Sequence, residues 1–112
     1  MVEPSGLPTV IAGYFAAVVA RDLKALVDCF TEDAEVTDEG QTMHGRAEIR
    51  QWRETGAASI YEYTIDVLGA DALGEDHYLV RTRLEGNFPG GTADLAHDFT
   101  LGDGLISRLV IA

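Results

Sequence analysis

The sequence predicts an α+β fold, with three N-terminal helices and then a mainly antiparallel sheet. Two observations predict it. Apolar residues recur at helical spacing before residue 56 and with a period of two after it. The later segments also follow one another across short turns with no helix between them, which makes a meander and not a βαβ unit. The chain has 112 residues, 46% of them hydrophobic. It is therefore expected to form one domain, residues 1–112, around one core.

Pro8 suits the first turn of a helix, where its missing N–H costs nothing. Val10, Ile11, Tyr14, Phe15 and Val18 then form an apolar stripe. Arg21-Asp22 interrupts it. Asp22 is placed to cap a second helix, with Leu23, Leu26, Val27 and Phe30 as its stripe. "AEVTD" at 34–38 reads as a short strand, Glu39-Gly40 as a turn, and Thr42-Met43 as a brief strand. A third helix starts at Gly45, with Ile49 and Trp52 one turn apart on the same side.

Everything after Gly56 reads as strand. From Ile60 onward, Tyr61, Tyr63, Ile65 and Val67 alternate with Glu62, Thr64 and Asp66. In "DHYLVRTRLEG", Tyr78, Val80, Thr82 and Leu84 alternate with His77, Leu79, Arg81 and Arg83. "NFPGG" is a turn by composition, and the tight "GDG" at 102–104 joins the last two strands. Such a sheet curls around the helices. Its inner face makes the core and, where side chains leave it unfilled, a pocket.

The formal charge is −11, from 19 acidic and 8 basic residues. That disfavours nucleic acid, which needs clustered Lys and Arg, and anionic membranes. A neutral, small apolar molecule is the expected ligand. Cys29 is the only cysteine, which fits a reducing, cytoplasmic setting and a buried, inert thiol. "MVEPSG" has no positive leader, so no secretory signal is expected. His44, His77 and His97 have no metal-ligand spacing, and His44 reads as a helix-entry residue. Ser5, Ser59 and Ser107 have no nucleophile-elbow context, and the glycines form no phosphate loop. Neither a metal nor another cofactor is expected.

Three polar residues stand where the pattern predicts burial. Tyr14 lies on the first helical stripe. Asp38 ends the Ala34-Val36 face. His97 shares a face with Leu95, Phe99 and Leu101. A buried carboxylate is costly unless paired, hydrogen-bonded or neutralised. Each also has a plain structural reading: a satisfied core tyrosine, a satisfied core histidine, and a carboxylate capping the Glu39-Gly40 turn. Three such groups converging in one apolar site is the pattern of a small-molecule active site.

The run "YFAAVVARDLKALVDCFTEDAEVTDEG", followed by "HGRAEIRQW", resembles the nuclear transport factor 2-like superfamily. Within it, the ketosteroid isomerases and SnoaL-like polyketide cyclases are most similar. The likeness runs from about Pro8 to Ile111. It implies a cone, with three helices against a strongly curved sheet and an apolar pocket between them. It also implies a homodimer. Tyr14 falls on the family tyrosine that hydrogen-bonds the substrate carbonyl, and Asp38 on the family's general base. The third isomerase group is an acid just before a His-Phe pair. Here the order is His97-Asp98-Phe99, which puts His97 in the acid's slot and turns Asp98 to the other face.

The resemblance thus implies Asp38, Tyr14 and His97 as catalytic groups for moving a proton next to a carbonyl. Phe15, Met43, Trp52, Val80 and Phe99 are the expected substrate-binding walls. The alternatives are a non-catalytic, dimeric ligand-binding or structural domain, and an epoxide hydrolase using an arginine. Alternation places Arg81 and Arg83 outside the pocket.

Overall fold

The computed structural model describes residues 6–55 and 61–112. Ser5, Gly56, Ser59 and Ile60, named above, lie outside them. In chain order the elements are α1 (Thr9–Ala20), α2 (Leu23–Asp28), β1 (Phe30–Asp38), β2 (Gln41–His44), α3 (Gly45–Thr55), β3 (Tyr63–Gly74), β4 (His77–Gly86), β5 (Thr92–Gly102) and β6 (Leu105–Ile111). The strands form one sheet in the order β2-β1-β6-β5-β4-β3. β1 and β6 pair in parallel and every other pairing is antiparallel. With three helices on one face, this is the cone-like α+β fold.

Local chemistry sets the helix ends. Pro8 precedes the first residue of α1, and its carbonyl accepts from the N–H groups of Ile11 and Ala12. Arg21 adopts a left-handed conformation at the end of α1, so the chain turns sharply. The Asp22 carboxylate then accepts from Ala25 N–H at 3.1 Å and starts α2. At α3, Glu48 reaches back to the His44 N–H at 2.9 Å, confirming His44 as the helix-entry residue.

The junction of α2 and β1 differs from the expected one. Phe30 opens β1 instead of extending the stripe of α2, and its carbonyl accepts two N–H groups of Arg46. The register between β1 and β6 is irregular between Phe30 and Glu35. That bulge carries Glu32 and Asp33 with their side chains in water, which hides them from simple alternation. The two-residue turn at Glu39-Gly40 puts both residues at positive φ, as a tight hairpin requires.

α3 packs on β1 and β2, and α1 on β3 and β6. Between helices and sheet lie Ile11, Tyr14, Phe15, Leu26, Phe30, Val36, Ile49, Val80, Phe99 and Leu109, all buried. The β3–β6 meander aligns its inner residues in rows, so side chains well separated in sequence stand beside one another. One row runs Asp38, Ile111, His97, Val80, Ala70. Asp38, Ile111 and His97 of that row line a cavity.

Candidate functional site

A cavity of about 560 Å³ opens between α1, α3 and the inner face of the sheet. That is ample for a ligand of one to a few rings. Tyr14, Asp38, Trp52 and His97 all line it.

Asp38 is the last residue of β1, where the strand reaches the cavity. Trp52 Nε1 donates to Asp38 Oδ2 at 3.1 Å. The bond spans from α3 to β1 and fixes the carboxylate towards the cavity rather than towards the Glu39-Gly40 turn.

Tyr14 projects from α1 into the same space. Only 1% of it is exposed, and its ring meets Phe15, Phe30 and Phe99 edge-on at centroid distances of 5.3, 5.9 and 5.6 Å. Burial raises its pKa far above the ordinary tyrosine value, so it is neutral and a donor. Among the described residues its hydroxyl makes no hydrogen bond.

His97 sits on β5 between Phe15, edge-on at 5.2 Å, and Phe99, stacked at 6.0 Å. Burial pushes its pKa down to about 4, and Arg53 pushes the same way. The imidazole is therefore neutral at pH 7. Its Nδ1 lies 3.5 Å from the Thr82 hydroxyl, which also reaches the Leu95 carbonyl at 3.4 Å. Asp98 faces away and meets His77 Nε2 at 2.6 Å, as the alternation of β5 requires.

Of the expected walls, Trp52 is at the cavity surface. Phe15, Val80 and Phe99 are buried in the core cluster behind it, and Met43 packs against that cluster without lining the cavity. The aromatic cage around Tyr14 and His97 uses Phe15 and Phe99 as a backing layer, and Val80 stands beside His97, its partner across the strands. The lining is instead Tyr61, Tyr63, Ile65, Leu84, Phe88, Leu95 and Ile111. Tyr63, Ile65, Leu84, Leu95 and Ile111 come from strands, and Tyr61 and Phe88 from the segments that flank them.

Sequence reasoning missed Arg53. It lies four residues after Ile49 on α3, so it shares the inward stripe with Ile49 and Trp52. That spacing was the available signal. Arg53 donates to the Tyr63 hydroxyl at 2.9 Å, and its guanidinium carbon lies 4.9 Å from the Trp52 ring centroid. Burial works against its charge, but Tyr14, Tyr63 and Asp38 outweigh that and hold its pKa above the ordinary arginine value.

The other charged groups sit elsewhere. Arg81 pairs with Asp71 at 2.7 Å and Arg83 with Asp94 at 2.8 Å, on the outer face of the sheet. Cys29 is half-buried, its Sγ 3.3 Å from the Ala25 carbonyl, and burial pushes its thiol pKa up. Among the described residues, no three His, Cys, Asp or Glu side chains are grouped to hold a metal ion. Nor is any described helix long and apolar enough to cross a membrane.

A family model for the SnoaL-like domain matches residues 11–109. Among solved structures, a candidate polyketide cyclase from Sinorhizobium meliloti is 35% identical, with a TM-score of 0.89 over 98% of this chain and 99% of that one. An epoxide hydrolase/cyclase-like enzyme of pyran ring formation in salinomycin is 25% identical, with a TM-score of 0.78 over 91% of this chain and 85% of that one. A protein of ketosteroid isomerase-like fold from Catenulispora acidiphila, 22% identical, has a TM-score of 0.82 over 94% and 85% of the two chains. A comparison with curated proteins finds no match.

Proposed function

The chain belongs to the SnoaL-like domain family, and from that premise we propose that it is a small-molecule isomerase or cyclase that moves a proton on a carbon next to a carbonyl. One observation carries this reading: Asp38, Tyr14 and His97 border one cavity, a base on one side and two neutral donors on the other.

Asp38 takes the proton from the carbon. The electron pair moves onto the carbonyl oxygen, which becomes an enolate. The Tyr14 O–H donates to that oxygen, and so does His97 in the tautomer with its hydrogen on Nε2. The protonated Asp38 then returns its proton. Given to another carbon of the conjugated system, it shifts a double bond. If the enolate carbon instead attacks a second carbonyl, the proton goes to the new alkoxide and a ring closes. A preorganised donor of this kind contributes about 3 kcal/mol to the transition state.

The test is a calorimetric titration with 2-naphthol, a planar phenol that mimics a dienolate, on wild type and Tyr14→Phe. Tight binding that weakens in Tyr14→Phe supports the oxyanion site and justifies assaying β,γ-unsaturated ketones. No binding to either removes the reading.

The second reading is a ligand-binding domain without turnover. The neutral His97 favours it, because it stands where the related isomerases have an acid. Under it, Asp38→Asn leaves ligand affinity intact and there is no reaction to lose. We further propose that the chain acts as one domain and as a cytoplasmic homodimer, paired through the outer face of the sheet. Sedimentation velocity at micromolar concentration tests the dimer.

A further inference from the structure

The cavity has a cation inside it that proton transfer at Asp38 does not use. Arg53 reaches the cavity wall from α3 and lies against the face of Trp52. Its described hydrogen bond goes to a neutral partner, the Tyr63 hydroxyl. No carboxylate among the described residues comes within ion-pair distance of it. Of the cavity acids Asp38 and Glu39, Asp38 is held by Trp52 Nε1 instead.

A guanidinium carries five N–H donors in a fixed fork. One engages Tyr63, which leaves the fork underused. Arg81 and Arg83 are matched to aspartates on the outer surface, and Arg50, on the same helix as Arg53, to Glu54. A partly buried guanidinium with spare donors, beside a mostly apolar cavity, gains charge-assisted hydrogen bonds when an anion arrives. A carboxylate matches the fork in shape and charge.

We propose that Arg53 is the anchor for a carboxylate on the substrate, so that the ligand is an organic acid with a flat apolar body and not a neutral molecule. The inference rests on the reading of this cavity as the substrate site. It fixes a polarity for the ligand: acid end on Arg53 and Tyr63, apolar body along Ile65, Leu84 and Leu95, and carbonyl at Tyr14 and His97. The negative charge of the whole chain does not contradict it. Net charge acts at long range through screened solvent, whereas Arg53 acts at contact distance in a sheltered space.

The experiment is calorimetric titration of the full chain with naphthalene-2-carboxylate and, in parallel, its neutral primary amide. The expected result is at least tenfold tighter binding of the acid by wild type. Arg53→Gln loses that preference while amide affinity changes by less than threefold, and Arg53→Lys keeps part of it. Circular dichroism melting verifies that each variant is folded. If Arg53→Gln does not fold, the acid-to-amide ratio in wild type and Arg53→Lys decides alone. Equal affinity for acid and amide, an acid preference that survives in Arg53→Gln, or no detectable binding of the acid at millimolar concentration overturns the proposal. Asp38→Asn separates this from the catalytic reading. Acid preference that persists there without turnover in any variant sinks the proton-transfer reading alone. Turnover that depends on Asp38 without acid preference sinks the Arg53 reading alone.

Discussion

Asp38 and His97 stand in one row of the sheet, two strands apart, with Ile111 between them. Strand spacing sets their backbones about 10 Å apart. Neither residue can touch the other, so a molecule lying over Ile111 meets a carboxylate at one end and an imidazole at the other. The separation is a property of strand order. It exists because β6 inserts between β1 and β5.

Asp38→Asn keeps the shape of the side chain and removes the base. Turnover of the true substrate is expected to fall by about 10²–10⁴-fold, with binding nearly unchanged. Steady-state kcat and KM, measured separately, check this. An unimpaired kcat would show that the proton goes elsewhere.

Tyr14→Phe removes a hydroxyl with no protein partner among the described residues. No donor is left orphaned in the core, so the melting temperature should barely move. The rate should fall by about 10²–10³-fold, as for loss of one oxyanion donor. Rate loss with retained stability is the signature to look for.

His97 makes the fold sensitive to acid. Its pKa is about 4 in the folded chain and about 6.5 in an unfolded one. Above pH 6.5 both states are neutral and the group adds no pH dependence. Between 6.5 and 4 the unfolded state binds the proton first, so stability falls with falling pH, by about 3 kcal/mol in total. Below 4 the loss is complete. Urea unfolding at pH 7, 5.5 and 4.5 should show a steeper decline in wild type than in His97→Gln.

Trp52→Phe keeps most of the apolar area and loses the N–H that holds Asp38. The expected effect is a drop in kcat of about tenfold with the pH profile retained, since Trp52 positions the base and does not touch the proton. Restoration by no other ring would be expected, because phenylalanine and tyrosine have no donor at that place.

Arg81→Gln is the control for an arginine-assisted epoxide opening. Arg81 pairs with Asp71 on the far side of the sheet, both partners over a third exposed. Such pairs contribute about 0–1 kcal/mol. Activity and melting temperature should both stay near wild type. A large activity loss would mean that the outer face communicates with the cavity.

Much of the fold was legible. Helical spacing in "VIAGYFAAVV", the cap at Asp22 and the alternation from Tyr63 to Leu84 are local signals, and local structure follows them. The parallel pairing of β1 with β6 was not legible, because it joins segments some 70 residues apart and no local pattern encodes the partner. Bulges also blurred alternation at residues 31–33 and near Leu68. At the site, Tyr14, Asp38 and His97 were visible as polar residues on apolar faces. Arg53 was not, because a helix surface is rich in arginine and only its phase relative to Ile49 separates it from Arg46 and Arg50. The walls Phe15, Val80 and Phe99 were assigned by face and by family likeness. Face predicts burial but not whether the space above a residue is filled, which depends on how far the helices stand off the sheet.

Trp52 is the only tryptophan in the chain. Its ring touches two charged side chains of the cavity, Asp38 through the indole N–H and Arg53 across its face. All indole emission from this protein therefore originates at one wall of the site. Whatever enters, displaces solvent there or shifts either charge will change the colour or brightness of that light, with no label attached and no background from a second fluorophore of the same kind. The molecule carries its own optical gauge, and it is set where the chemistry would be.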